Sequence, residues 1–535
     1  MTRRGVGWYV SAAVVACVLI AVQPAASSAV AETTDAEVAS AVARECARSI
    51  GRGQILSVDS SSLDSGGSTV IVDGQTFAVG PAGWQHSGAD ALASAVFDSG
   101  GWLWAAYDVD YPAIADRLVE QAIASPDPGD DATHTQLLDT GWAESAMSRR
   151  LGTVVCAYDK TSDVRLLPIM TSLVAGLSGP RYYGPPYRQV HNHGLFANLA
   201  IFDAGLVVSE ATWVDFAVGR IEAEAPLVFG DCGMMGEQAS GYQVLNYQLW
   251  QEASSAIEGH GSGTTALLSQ AAVAIGALAA PDGHIEPIGD GFGSFDASAF
   301  PYLGSLWCPT ESGQLRASGW AAAQMITSYG ASHHIVRFGP APTMHGHDDR
   351  GSMTWWVDVS GVQTQVLSDR GVFDKSDRLR LEQESAAGNH SVLEIGRMAL
   401  DRVVSATRHV YANDSYSYTL VSGTERKRTR SITFWSGSPV VSVVDKIQPP
   451  NSSRRFYIQH WQLASGWVPS GTNSATKGPL TLTITCLVNG VRHPLVAKSA
   501  SENMGFRQGV PAWDMQCRAQ AQAPMRISTT LRLTG

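Results

Sequence analysis

The sequence predicts an α+β chain in two parts: helices packed on helices, then a large antiparallel β domain of sandwich-like pattern. Three observations predict it. Between about 85 and 310, apolar residues recur at three- and four-residue spacing through eight successive stretches. After 318 the pattern changes to short β-rich runs punctuated by Gly, Ser, Asn and Asp. Strands and helices do not alternate, which argues against a parallel βαβ sheet. At 535 residues the chain is too long for one ordinary core, so more than one domain is the default.

The first 31 residues read as a secretory signal. Arg3 and Arg4 supply the positive start, Val10 to Val22 the apolar run, and Ala29-Val30-Ala31 the small-x-small cleavage site before Glu32. The run is too short for a membrane span, and it continues past Cys17, unlike a lipoprotein signal. The expectation is an exported protein with no stable membrane association. Next, Ala36 to Ile50 has helical spacing, and Ser68 to Val79 reads as a hairpin turning at Asp73-Gly74.

The helical part runs from 32 to 315. Its stretches are Ala89–Phe97, Tyr111–Ala124, Trp142–Tyr158, Val164–Leu177, Gly194–Asp203, Trp213–Ala225, Tyr242–Ile257 and Thr264–Ala280. Periodicity alone is compatible with a bundle or with an α/α toroid. The β part, 316–535, holds runs at Met325–Tyr329, His334–Arg337, Met353–Val359, Gln363–Leu367, Val392–Ile395, Thr419–Val421, Ser431–Trp435, Val440–Val444, Phe456–Gln462, Leu480–Leu487 and Arg526–Leu533.

Beyond the signal, the chain has 35 basic and 49 acidic residues, a net charge of −14, obtained by removing Arg3 and Arg4 from the 37 basic residues of the full chain. That excludes a nucleic-acid partner, whose phosphates need a basic surface. Six cysteines remain and none forms a Cys-x-x-Cys pair, so disulfides are expected rather than a thiolate zinc site. Cys486 and Cys517 share the β-rich end and are the first candidate pair.

Four clusters carry chemistry. In Thr343–Trp356, the alternation of His345, His347 and Asp349 places all three on one face if the segment is a strand, about 7 Å between successive members. Two imidazoles and a carboxylate are donors that suit zinc. In 181–194, Arg181 and Arg188 suit a carboxylate or sulfate, and Tyr182 and its neighbouring tyrosines suit stacking on sugar rings. The same segment ends in Asn192-His193, which reads either as a helix cap or as an amide donor beside a proton carrier. Glu237 to Tyr247 places Tyr242 and Tyr247 near a helix start. Finally, His347, Asp369 and His390 are spaced by 22 and 21 residues, which three adjacent strands or loops could converge.

In order, these blocks are Asn192-His193-Gly194, Glu237-x-x-Ser240-x-Tyr242, His345-Gly346-His347-x-Asp349 with Ser352, Leu367-Ser368-Asp369-x-Gly371, Asn389-His390-Ser391, and Arg430 to Trp435 leading to Asp445. The series resembles the heparinase II/III-like polysaccharide lyases across about 140–465. Asn389-His390-Ser391 departs from the His-Asn-Thr more usual there. The resemblance implies an incomplete α/α toroid followed by an antiparallel β-sandwich-like domain, with the active site between them. It implies that Asn192 neutralises a uronate carboxylate. It also implies that His193, Tyr242 and His345 are catalytic, with Tyr247 as the alternative tyrosine, and that Glu237 belongs to the substrate-binding set. His347, Asp369 and His390 match a zinc set of mainly structural role; no organic cofactor is implied.

The implied reaction is β-elimination at a 4-linked uronic acid in an acidic polysaccharide, alginate and glycosaminoglycan-like chains included. A glycoside hydrolase would instead need two carboxylic acids about 5–10 Å apart. Glu144, Asp203, Glu210, Asp231 and Glu237 are the available acids. A non-catalytic glycan-binding relative is the remaining alternative.

Overall fold

A computed structural model describes residues 33–535 except 54–56, 65–67, 73, 81–83, 85–90, 125–141, 180–191, 231, 262–263, 292–295, 301–303, 310–317, 328, 340–344, 360, 374–382, 397–402, 424–427, 449–454, 506–507 and 523. The expected signal segment and the Arg181, Tyr182 and Arg188 cluster lie outside the described residues. The remainder, Thr33–Gly535, is one compact unit.

The periodic stretches are helices. Those that position the site are Asp35–Gly53, Trp142–Thr161, Asn192–Val208, Ala211–Val228, Ser240–Ala256 and Thr265–Leu278. Asn192–Val208 is buried on nearly every side, from Asn192 and Gly194 to Leu206. A helix apolar all round must sit inside others. Asp35–Gly53, Trp142–Thr161 and Ala211–Val228 surround it. The helical half is an α/α toroid. The hairpin also forms, with strands Thr69–Val72 and Gln75–Ala78 turning through Gly74 at φ 76°.

The second half is two antiparallel sheets, each of nine strands among the described residues: eight in one path, and one off it, Val491–His493 beside Leu480–Val488 in the first sheet and Leu393–Ile395 beside Arg455–Leu463 in the second. One runs in the order Val403–Val410, Tyr416–Ser422, Arg428–Trp435, Val440–Ile447, Met525–Thr534, Leu480–Val488, Ser474–Lys477, Val468–Gly471. The other runs Leu495–Gly505, Gln508–Ala521, Arg455–Leu463, Val362–Leu367, Ser352–Val359, Gly330–Arg337, Trp320–Thr327, Ser305–Cys308. Its edge strand, Ser305–Cys308, precedes the boundary expected at 316.

Burial explains how the halves meet. In Leu480–Val488 every second residue is buried, the period of a strand with one face on a core. Trp320–Thr327 and Gly330–Arg337 are buried on both faces over most of their length. Ala321, Met325 and Val336 enter the core between the sheets. Trp320, Ala322 and Ile335 enter a separate core with Ala274, Ile275 and Leu278 of the last helix. The second sheet is thus the middle layer, which is why its strands read as apolar runs rather than as alternations.

Three disulfides brace this arrangement. Cys486–Cys517 forms as expected. Cys46–Cys156 ties the first helix to Trp142–Thr161. Cys232–Cys308 ties the loop before Glu237 to the edge strand of the second sheet, and so fastens one half to the other.

Candidate active site

The site is assembled where the start of Ser240–Ala256 meets loops of the β half. Tyr242 lies in the first turn of that helix. Its ring stacks on His345, with centroids 3.7 Å apart and planes 13° from parallel. Tyr247, one and a half turns on, packs edge-to-face on Phe300 within the apolar core. The contact that distinguishes the two tyrosines is therefore the imidazole, which only Tyr242 meets.

His345 is held from both ring nitrogens. Nδ1 lies 2.9 Å from Asp290 Oδ2, and Nε2 lies 3.5 Å from Glu237 Oε2. Glu237 is fully buried and also accepts from Asn246 Nδ2 at 3.3 Å. Asn246 in turn donates to the Tyr242 carbonyl at 2.9 Å. Glu237 thus lies beneath the histidine and the tyrosine, a different position from a side chain lining an open cleft.

The helix Asn192–Val208 carries two further candidate residues. Asn192 is buried, and its Oδ1 has no hydrogen-bond partner among the described residues. The amide is therefore not spent on capping its helix. The His193 ring is 12% exposed, with Nδ1 4.0 Å from Glu144 Oε2, a carboxylate that is itself fully buried. This helix packs against Ser240–Ala256, the helix that carries Tyr242.

The segment 345–350 is not a strand. The strand begins at Ser352, and the preceding residues form a turn. The alternating face expected for His345, His347 and Asp349 accordingly does not exist. Asp349 instead pairs with buried Arg337, Nη1 to Oδ1 at 2.7 Å. The two histidines do converge, but on a residue that sequence reading missed. Asp290 Oδ1 lies 2.9 Å from His347 Nε2 while Oδ2 faces His345.

Asp290 belongs to a hub at Glu286–Gly291. Ser240 N donates to Ile288 O at 3.0 Å, and Ser240 Oγ donates to Glu286 O. Trp356 Nε1 and Gln365 Nε2 both donate to the Glu286 carboxylate, which burial holds well above its usual pKa. Asp290 N donates to His345 O at 2.8 Å. Gly289, at φ 66°, allows this approach: a Cβ there would meet His345 O at 2.7 Å and Gln238 O at 2.9 Å. The only sequence signal for the hub is the Gly289-Asp290-Gly291 triplet, an acid in a tight turn.

His347, Asp369 and His390 form a buried set whose candidate ligand atoms all lie within 4.8 Å of one another. His390 Nδ1 is 3.0 Å from Asp369 Oδ2, and Ser352 Oγ donates to Asp369 at 3.4 Å. His347 Nδ1 and His390 Nε2 are buried without a hydrogen-bond partner. Two imidazoles with spare nitrogens and a carboxylate are donors that fit zinc. The carboxylate of Asp290 on the far nitrogen of His347 is the support such ligands usually have. Burial works against charge on Asp369, but His390 and His347 more than offset it and hold its pKa below the usual range. Burial likewise disfavours a charged His390, and Asp369 beside it raises the pKa above the usual imidazole value. The two directions are the two ends of one buried Asp369–His390 ion pair.

The other candidate acids are occupied elsewhere. Asp203 pairs with Arg44 at 2.5 Å inside the toroid, and Glu210 accepts from Thr212 at the start of Ala211–Val228. Asp231 lies outside the described residues.

No protein-family model matches the chain, and no curated relative matches it either. Solved structures do resemble it. Heparinase III superposes with a TM-score of 0.62 at 12% identity, covering 84% of this chain and 78% of that one. Heparan sulfate lyase HepC from Pedobacter heparinus gives 0.54 at 16%, covering 83% and 77%. Chondroitin AC lyase from Streptomyces coelicolor A3, in complex with chondroitin sulphate, gives 0.53 at 11%, covering 96% and 80%. The chain therefore has the fold of the heparinase-like polysaccharide lyases, an α/α toroid followed by an antiparallel β-sandwich.

Proposed function

We propose that the chain is a secreted polysaccharide lyase that cleaves a uronic-acid-containing acidic polysaccharide by β-elimination. The observation that carries this reading is Tyr242 stacked on His345 over the buried Glu237, on a helix packed against the one that starts with Asn192-His193. Elimination needs the uronate carboxylate neutralised, the C5 proton removed and the departing O4 protonated. The Asn192 amide donates to the carboxylate, where charge builds in the enolate-like intermediate. His193, with Glu144 behind it, or Tyr242 takes the C5 proton, and Tyr242 protonates O4. His345 lies against the Tyr242 ring and keeps the phenol in place. No water is consumed, and the product carries a C4–C5 double bond.

Zinc held by His347, Asp369 and His390 would cross-link three segments of the β half behind His345. Export is supported by the Arg3-Arg4 and Val10–Val22 pattern and by the three disulfides, which are characteristic of oxidising compartments. The low content of basic residues favours an unsulfated polymer such as alginate over the sulfated chains named for the structural counterparts.

The test is digestion of a panel of uronate polymers, read by the ultraviolet absorbance of the unsaturated product. A lyase produces it and a hydrolase does not. His193→Ala and Tyr242→Phe are each expected to lose at least nine-tenths of turnover while remaining folded. Retention of more than a tenth by both would remove the assignment.

A further inference from the structure

We infer that Asp290 is a positioning residue that couples the His347–Asp369–His390 set to His345. The inference rests on the lyase reading for its activity arm only. One carboxylate, 6% exposed, spends its two oxygens on two imidazoles, His345 Nδ1 on Oδ2 and His347 Nε2 on Oδ1, both at 2.9 Å. A carboxylate only accepts, so each of those nitrogens carries a proton. His345 is thereby oriented with Nε2 toward Glu237 and its face against Tyr242. His347 is oriented with Nδ1, which has no partner, turned away from Asp290.

The backbone fixes the carboxylate as firmly as the side chains do. Asp290 N donates to His345 O, and Gly289 leaves no room for the two loops to separate the ring from its acceptor without breaking that bond. On the other side, Gly371 sits at φ 59° with a virtual Cβ only 2.4 Å from Gly291 O, and Val372 N donates to the same carbonyl. The loop carrying Asp369 therefore rests on the loop carrying Asp290. Rotation of the His347 ring shifts one oxygen of a rigid carboxylate, and the second oxygen carries the shift to His345. A metal that fixes His347 thus also fixes the tyrosine-facing imidazole.

Asp290→Asn keeps the shape but replaces one acceptor by a donor, so it can serve only one of the two N–H groups. Expected are a 10–100-fold loss of zinc affinity in a chelator competition, the usual size for a residue supporting a metal ligand, and a similar loss of kcat with KM within threefold. A zinc affinity within threefold of wild type overturns the inference even if no substrate is ever found, whereas lost zinc affinity without any lyase activity in the wild type removes the functional reading alone. Unchanged kcat in a variant that has lost zinc affinity overturns the coupling. A readout in the wild-type chain does not depend on the variant folding. With ¹⁵N-labelled histidine, zinc addition to the metal-stripped protein should shift the ring signals of His345, identified by their loss in His345→Gln, along with those of His347 and His390. A His345 signal that stays put while the other two move overturns the inference, as does the absence of any shift.

Discussion

Two pairs of histidines lie a dozen residues apart in sequence and have opposite chemistry. His333 and His334 sit mid-strand in the second sheet and face groups without charge. His333 Nε2 lies 3.1 Å from the Ala277 carbonyl, and His334 Nε2 lies 2.9 Å from the Tyr418 hydroxyl while its ring stacks on Phe434 at 3.7 Å. Burial pulls His333 down to about 4 and likewise holds His334 well below the imidazole range. Both are neutral packing groups. His345 and His347 face the Asp290 carboxylate instead, and His347 keeps Nδ1 without a hydrogen-bond partner. His347 is as buried as His333 and His334, so what sets it apart is its carboxylate partner and not its burial.

The comparison can be broken at its strongest point first. His345→Gln is expected to lower turnover by about 10²–10⁴-fold, the range for a group engaged in proton transfer or its alignment, while His333→Gln stays within threefold of wild type. Steady-state rates on the best polymer of the panel decide it. Equal losses in the two variants would erase the distinction.

Metal comes next. One zinc per chain is expected by elemental analysis, and chelation should lower the melting temperature. Zinc at a thousandfold excess over its Kd contributes about 4 kcal/mol to the folded state. His390→Ala should abolish the chelator effect, and His334→Gln should leave it intact. A melting temperature indifferent to chelator in the wild type would show the carboxylate-facing set to be a plain ion-pair network.

The smallest effect concerns pH. The folded pKa of His333 is about 4 and the unfolded value about 6.5, so the unfolded chain binds the extra proton between them. Its stabilising contribution is complete above 6.5 and is lost as pH falls toward 4, in total roughly 3 kcal/mol. His333→Gln should flatten the pH dependence of unfolding free energy by about one proton in that window. An unchanged slope would mean that the ring already shares a proton in the fold.

Much of the architecture was legible along the chain. Three- and four-residue spacing marked the helices, because each buries one stripe or, for Asn192–Val208, its whole surface. Alternation marked strands such as Leu480–Val488, where one face meets the core. The pairing of Cys486 with Cys517 followed from their shared place in the C-terminal β-rich region, although they stand on different sheets. Candidate residues were nominated most directly where they are local to one element, as with Asn192-His193 at a helix start and Tyr242 in a first turn. The His345–Asp349 segment was misread as a strand because period-two spacing also occurs in turns. Only the paired strand Ser352–Val359 has backbone partners to hold it extended.

Composition, periodicity and short motifs thus determined the order of the two halves and nominated the side chains. They did so because burial and backbone hydrogen bonding act between near neighbours. Tertiary structure alone decided which tyrosine meets an imidazole, that Asp349 answers Arg337 rather than a metal, and that Asp290 joins His345 to His347. Those contacts span more than fifty residues in the case of Asp290. They depend on the approach of two loops that Gly289 permits, a distance that no local pattern encodes.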